Sequence, residues 1–225
     1  MIKMVVFDMA GTTVDEDNVV YKTLRKAINE HGFNFSLEEV LAQGAGKEKF
    51  QAVKSILSVY AGITEEKMAV EIYERFVPML AEAYNSLQVL PQPGAVELFR
   101  ALHQRNILVV LNTGYNRETA ESLITKLGWK QGREFDYLVT ANDVTKNRPD
   151  PDMILFAMKQ LGISNPAEVA KVGDSIIDIE EGRNAGCSLN IGITTGAHTF
   201  QQLKSANPDR IINNLMELLP VVAEN

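Results

Sequence analysis

The sequence predicts an α/β fold, with a Rossmann-like parallel sheet that carries helices on both faces and an inserted all-helical cap domain. Short apolar, partly β-branched segments alternate with segments of helical spacing, which is typical of a parallel sheet. This alternation stops between residues 17 and 87, where only helical spacing is found. The chain has 225 residues, 45% of them hydrophobic, which is enough for one large core and a small accessory domain.

The predicted core comprises residues 1–16 and 88–225. Strands are expected where short apolar runs occur, at 4–7, 107–111, 136–140, 169–172, 189–193 and 209–212. Helices are expected between them at 116–127, 151–161 and 178–185, with another after Pro93 and Gly94 and a short one at the C-terminal end. All of these strands except 189–193 are therefore followed by a helical segment that can cover the sheet.

The insertion, residues 17–87, is predicted to contain four helices. They are expected at 19–31, from Ser36 onward, at 47–59 and at 65–86. The second begins with S-L-E-E, a capping box formed by Ser36 and Glu39. A helical insertion directly after the first strand suits a cap that closes over a site and excludes water.

Composition limits the partners and the compartment. A net charge of -7 gives no reason to expect binding to nucleic acid or to an anionic membrane. The single cysteine, Cys187, excludes an internal disulfide, and no leader pattern or apolar run of about 18 residues is visible. We therefore expect a cytoplasmic monomer or homodimer, in which local cations hold any anionic substrate.

Polar residues follow three of the predicted strands. They are Asp8 and Gly11 in V-V-F-D-M-A-G-T-T, then Asn112, Thr113 and Gly114 in L-N-T-G-Y, then Asp174 and Asp178 in G-D-S-I-I-D. Arg148 adds a cation in N-R-P-D-P. A carboxylate nucleophile, a hydroxyl, a cation and paired acids are what phosphoryl transfer through a metal needs. Taken singly, Asp8 is also explained as a capping residue and Arg148 as part of a surface ion pair.

In this order the motifs resemble those of the haloacid dehalogenase (HAD) superfamily of hydrolases along nearly the whole chain. D-M-A-G-T-T resembles the phosphonatase branch in particular. Most HAD phosphatases carry a second Asp two residues after the nucleophile, which acts as a general acid, whereas phosphonatases carry Ala. In this chain that residue is Ala10.

The resemblance implies a role for each motif residue. Asp8 attacks phosphorus and forms an aspartyl-phosphate. Mg²⁺ is held by Asp8, Asp174 and the backbone carbonyl of Ala10, while Asp178 steadies the water shell of the metal. Thr113 binds the phosphoryl oxygens and Arg148 neutralises them. The residues expected to line the substrate site are Gly11, Thr12, Gly44, Gly46, Asn112, Gly114 and Tyr115.

Lys47 decides which reaction the resemblance implies. It ends the segment Q-G-A-G-K and matches the cap-loop lysine that forms an imine with the substrate aldehyde in phosphonatases. An imine accepts the electron pair of the breaking C–P bond, so no general acid is needed, which agrees with Ala10. A helix start at Lys47 and burial under the cap are expected to lower the pKa of its amine. Alternatively, Lys47 is a cation that grips the substrate, or an exposed lysine at a helix start.

Three departures from the branch concern the aldehyde half of the site. Phe50 replaces a histidine, Asn18 a cysteine and Gln43 a methionine. The expected function is a Mg²⁺-dependent hydrolase that cleaves the C–P bond of phosphonoacetaldehyde or a related phosphonate. One alternative is a phosphatase of a small phosphate ester, and the other is a non-catalytic phospho-acceptor module built on a similar sheet.

Overall fold

The computed structural model describes residues 1–223 and confirms the α/β fold. The strands are β1 Met4–Asp8, β2 Val14–Asp15, β3 Leu90–Pro91, β4 Leu108–Thr113, β5 Tyr137–Thr140, β6 Val169–Gly173, β7 Leu189–Ile193 and β8 Arg210–Ile212. Six of them form one sheet in the order β5-β4-β1-β6-β7-β8, in which every neighbouring pair is parallel. The first strand thus lies inside the sheet, between β4 and β6.

The α-helices are α1 Val19–Asn29, α2 Leu37–Gly44, α3 Lys49–Ala61, α4 Glu66–Ser86, α5 Ala95–His103, α6 Arg117–Leu127, α7 Asp152–Leu161, α8 Ile176–Ala185, α9 Phe200–Ser205 and α10 Leu218–Ala223. In the described range, none of them has the length and hydropathy that crossing a bilayer requires.

Both faces of β1 are covered, because successive side chains of a strand point to opposite sides of the sheet. On one face Phe7 packs on Phe99 of α5, with ring centroids 5.5 Å apart. On the other face Val6 belongs to a cluster that contains Met153 and Ile154 of α7. The buried strand therefore has no polar side chain before Asp8, where it ends.

Helices α1 to α4 form the insertion, and two short strands mark where it leaves and rejoins the sheet. Val14 of β2 pairs with Pro91 of β3, and Asp15 pairs with Leu90, in antiparallel register. The sequence did not predict these strands, because two residues are too few to show a period of two. We propose the cap boundaries 17–87, which this pairing supports.

The start of α3 corrects one expectation about Lys47. The helix begins at Lys49 and not at Lys47, because Glu48 is its N-cap. The Glu48 carboxylate accepts hydrogen bonds from the backbone N–H groups of Phe50 and Gln51, at 2.9 and 3.0 Å. Lys47 therefore lies in the loop between α2 and α3, which we call the cap loop (residues 45–48).

Candidate active site

The predicted polar residues meet at the carboxyl ends of β1, β4 and β6. Asp8 is paired in register with Asn112 of β4, and Asp174 follows the last residue of β6. Asp8, Thr113 and Asp174 are all buried. Because parallel strands end at one edge of the sheet, residues far apart in sequence are brought together there.

A buried ion network surrounds the Asp8 carboxylate. Arg148 Nη1 donates to Asp8 Oδ1 at 2.7 Å and lies 2.9 Å from Asp178 Oδ1, while its Nε lies 3.2 Å from Glu181 Oε2. A second cation, Lys171 on β6, places Nζ 2.9 Å from Asp178 Oδ1 and 3.0 Å from Glu181 Oε2. Arg148 is thus a buried partner of the Asp8 carboxylate and not a surface cation.

Asn112 belongs to this network, which corrects its expected role in substrate binding. Its Nδ2 donates to both carboxylate oxygens of Glu181, at 2.9 and 3.0 Å. Its Oδ1 accepts from Arg148 at 2.9 Å and from Lys171 at 2.6 Å. All hydrogen-bonding positions of the amide are therefore occupied, and Asn112 positions the two cations.

The acids of the site differ in their electrostatic environment. Burial raises the pKa of Asp174 well above its ordinary value, and the nearby Asp8 and Asp178 raise it further. Burial likewise raises the pKa of Asp8, although Arg148 opposes this shift. Burial also acts to raise the pKa of Asp178, but Lys171 and Arg148 together bring it below its ordinary value. Asp8 and Asp174 are therefore the pair that a further cation would stabilise.

This pair suits a hard divalent cation. Within residues 1–223 no three His, Cys, Asp or Glu side chains are grouped so that they could hold a metal ion. Mg²⁺ needs fewer, because it binds one or two carboxylates and completes its shell with backbone, water and substrate oxygens. Only glycine fits on either side of Asp174, since a Cβ atom at Gly11 or Gly196 would clash with Asp174 Oδ2. The predicted set of Asp8, Asp174 and the Ala10 carbonyl therefore fits the ion.

Asp178 lies outside that set of donors. Its Oδ2 accepts from Ser175 Oγ at 2.5 Å in the capping box of α8. Its Oδ1 lies between the two cations of the network. Asp178 can therefore support the site through Arg148 and Lys171, which is less direct than the predicted contact with the water shell of a metal.

The cap loop contacts the edge of the sheet. Gly46 N–H donates to Tyr21 Oη at 3.1 Å, and a Cβ atom at Gly46 would clash with Ser175 Oγ. A Cβ atom at Gly114 would lie 2.9 Å from the Lys47 carbonyl oxygen. The cap is thus closed over the strand ends, and Gly46 and Gly114 are the close approaches that permit it.

Two other residues predicted to bind substrate differ in their surroundings. Gly44 ends α2 and packs within the cap, where an added Cβ would lie 3.5 Å from Ala52 and from Ile56, so it serves packing. Thr12 is buried beside the nucleophile, and its Oγ1 has no hydrogen-bond partner among the described residues. An unpaired buried hydroxyl at this place is suited to bind a substrate oxygen.

Lys47 is half-buried, and its amine is bound within the cap. Its Nζ donates to Ser55 Oγ on α3 at 3.0 Å. Burial lowers the pKa of the Lys47 amine, and the charge that opposes this shift is Glu180. The lowered pKa and burial as its cause were both expected, whereas the other expected cause, a helix start at Lys47, is absent because α3 begins at Lys49.

Lys49 is the buried lysine of the cap, and the sequence analysis missed it. Its Nζ donates to the Lys47 carbonyl at 2.7 Å and lies over the rings of Tyr21 and Tyr115, 5.1 and 5.5 Å from their centroids. Burial lowers the pKa of Lys49 to about 8, and the strongest opposing charge is Asp8. The charge of Asp8 thus acts on the Lys49 amine.

A buried carboxyl group borders the same region. Glu16 accepts a hydrogen bond from Tyr84 Oη at 3.2 Å, and Tyr84 Oη lies 2.9 Å from Tyr115 Oη. Burial raises the pKa of Glu16 to about 7. No pattern in the sequence predicted this buried acid, since Glu16 stands in the polar run D-E-D-N. Lys171, by contrast, did have a signal, because a lysine inside an apolar strand requires buried partners.

The chain belongs to the haloacid dehalogenase-like hydrolase family, whose sequence profile matches residues 2–186, and it is a hydrolase. It is 32% identical over 208 residues to the phosphonoacetaldehyde hydrolase of Hahella chejuensis, covering 88% of this chain and 69% of that protein. It is 31% identical over 207 residues to that of Bacillus cereus strain B4264, covering 87% and 77%. These relatives confirm the resemblance to the phosphonatase branch and leave the phospho-acceptor module without support.

The solved structures agree on the fold. The phosphonoacetaldehyde hydrolase like protein from Oleispira antarctica superposes with a TM-score of 0.84, covering 99% of this chain and 92% of that one. Its sequence identity to this chain is 22%, so the comparison concerns the fold alone.

Gly46→Ala tests the contact between the cap loop and the core. We expect it to lower turnover of an aryl phosphate by about 10²-fold, because displacing the loop from Ser175 misplaces groups at the site. Gly62→Ala is the matched control, since Gly62 has a similar φ of 68° against 75° but an added Cβ would meet nothing within 4 Å. Gly62→Ala should lose about 1–2 kcal/mol of stability through its positive φ alone, and Gly46→Ala should lose more because its Cβ also clashes with Ser175 Oγ. Equal turnover in the two would show that this contact does not matter.

Lys171→Met tests the buried network. Removing this cation leaves the Asp178 and Glu181 carboxylates undercompensated, so we expect the free energy of unfolding in urea to fall by about 3–5 kcal/mol. Lys22→Met is the control, because Lys22 pairs with Asp17 at an exposed position and should change stability little. A loss no larger than that of the control would contradict the network as described.

Proposed function

We propose that the chain is a Mg²⁺-dependent hydrolase that cleaves the C–P bond of phosphonoacetaldehyde or a related phosphonate through an aspartyl-phosphate on Asp8. The observation that carries the proposal is the buried Asp8–Arg148 pair, at 2.7 Å, beneath a closed cap that brings a buried amine near it. Such a site offers a nucleophile and a charge partner to the phosphorus end of the substrate, and a nitrogen nucleophile to its aldehyde end.

The phosphorus half of the reaction is assigned to residues at the strand ends. Arg148 orients the Asp8 carboxylate and offers a planar, permanently charged group to the phosphoryl oxygens. Thr113, the Gly114 N–H and the unpaired Thr12 hydroxyl are proposed as further donors to these oxygens. Asp8, Asp174 and the Ala10 carbonyl would hold Mg²⁺, whose charge keeps the carboxylates ionised beside an anionic substrate.

The aldehyde half explains Ala10. Hydrolysis of an alkyl phosphate requires an acid to protonate the leaving oxygen, and Ala10 has none to offer. A C–P bond next to an imine breaks without such an acid, because the nitrogen accepts the electron pair. The closed cap keeps bulk water away from both reactive bonds. By resemblance the imine falls to Lys47, the lysine of the cap loop.

A phosphatase of a small phosphate ester is the second candidate, and one observation favours it. Lys47 and Arg148 line the same cleft between cap and core, which has a volume of about 600 Å³. In that reaction Lys47 would hold the substrate as a cation and would not react with it.

A substrate panel decides between the two. We expect the wild-type protein to release phosphate and acetaldehyde from phosphonoacetaldehyde, to hydrolyse an aryl phosphate slowly and to hydrolyse a simple alkyl phosphate more slowly still, because the alkyl leaving group needs protonation. Alkyl phosphate turnover that matches or exceeds C–P cleavage would favour the phosphatase.

Asp8→Asn should abolish turnover of every substrate in the panel, by about 10³-fold or more, since it removes the attacking oxygen. Asp17→Asn is the control, because Asp17 is exposed and asparagine tolerates its positive φ of 52°. Retained activity in Asp8→Asn would exclude the aspartyl-phosphate mechanism.

A further inference from the structure

The cap offers two lysines to the site, and their amines occupy different environments. The Lys47 amine donates to Ser55 Oγ, which lies on α3 eight residues further along the chain. The charge that acts on it most is Glu180 of α8. Neither contact brings this amine towards Asp8, although the backbone of Lys47 touches Gly114.

The Lys49 amine has the surroundings that a reacting group at this site requires. Only 6% of the residue is exposed, and in the described part of the chain no carboxylate forms an ion pair with it. Its Nζ lies over Tyr21 of the cap and Tyr115 of the core. The groups whose charges act on it include Asp8, Glu48, Arg148 and Glu16. Lys49 is thus held between cap and core, where the charge of Asp8 acts on it.

We propose that Lys49, and not Lys47, forms the imine with the aldehyde of the substrate. This inference rests on the proposed C–P cleavage and changes the residue that the resemblance assigned. The reacting amine must approach the carbon bonded to phosphorus while Asp8 faces the phosphorus atom. Lys49 meets this requirement because it is buried between cap and core, over the ring of Tyr115, whereas the Lys47 amine is held by Ser55 on α3.

The two aromatic rings support the cationic states of this lysine. A protonated imine carries its charge on the former Lys49 nitrogen, and a cation over an aromatic face is stabilised by the ring. Lys49 also lines a small cavity of about 30 Å³ with Phe76 and Leu80 of α4. Apolar neighbours disfavour the charged amine, and a pKa of about 8 leaves part of the population neutral and nucleophilic near neutral pH.

The reaction then balances without an oxidant or reductant. The neutral Lys49 amine adds to the aldehyde carbon, and water leaves as the imine forms. The imine nitrogen takes a proton from solvent. Asp8 Oδ then bonds to phosphorus while the C–P bond breaks, and the electron pair of the C–P bond moves to the protonated imine nitrogen to give a neutral enamine. The enamine takes a proton at carbon, and water then releases acetaldehyde and the free amine. A second water hydrolyses the aspartyl-phosphate to phosphate.

Borohydride trapping locates the imine on the wild-type protein. The protein is incubated with phosphonoacetaldehyde and sodium borohydride, digested, and the peptide that spans residues 43–54 is sequenced by tandem mass spectrometry. We expect a reduced adduct on Lys49 and none on Lys47. An adduct on Lys47 alone would overturn the proposal while leaving the proposed C–P cleavage intact.

Matched arginine variants test the same point by kinetics. Lys49→Arg keeps the charge but cannot form an imine, so we expect C–P cleavage to fall by about 10³-fold or more, as on loss of a group that acts in the chemical step. Lys47→Arg should retain cleavage within about tenfold, and thermal unfolding of both variants checks that they are folded. Full activity in Lys49→Arg would refute the proposal. If the wild type neither forms an adduct nor cleaves phosphonoacetaldehyde, the proposed function fails, and the inference with it.

Discussion

The structure depends on the balance of buried charge at the carboxyl ends of β1, β4 and β6. Four carboxyl groups, those of Asp8, Asp174, Asp178 and Glu181, lie there with two cations, Arg148 and Lys171. Buried charges are tolerated only when partners or a metal compensate them. The cations serve Asp8, Asp178 and Glu181, so the carboxylate left to be compensated is Asp174, next to the nucleophile. We regard the proposed Mg²⁺ as part of this balance.

The fold supplies the geometry that the balance requires. The register of β1 with β4 sets Asp8 beside Asn112, whose amide holds both cations in place. Covering both faces of the sheet removes water from these groups and so strengthens their interactions. The closed cap extends this dry region to Lys49 and Glu16, where burial lowers the pKa of the amine and raises that of the acid.

The sequence predicted the sheet, the run of helices after the first strand and the positions of Asp8, Thr113, Asp174 and Arg148. Each of these four residues directly follows an apolar strand segment or stands in a short motif, so local sequence was enough to find it. It did not predict what depends on packing across long distances. Asn112 was expected to line the substrate site, but its side chain is hydrogen-bonded within the ion network. Lys49 and Glu16 stand in charged runs that resemble solvated surface, and only the closed cap buries them. We propose Lys49 in place of Lys47 as the imine lysine. The helix α3 begins two residues later than the spacing suggested, so Lys47 lies in the cap loop and Lys49 at the helix start.

Thermal unfolding over a range of Mg²⁺ concentrations tests the charge balance most directly. A ligand that binds only the folded state stabilises it by about 2.7 kcal/mol at a hundredfold excess over its Kd. We expect the Tm of the wild type and of the Asp17→Asn control to rise with Mg²⁺, and that of Asp174→Asn to stay nearly constant. A wild-type Tm that does not respond to Mg²⁺, or an equal rise in Asp174→Asn, would contradict a cation held between Asp8 and Asp174.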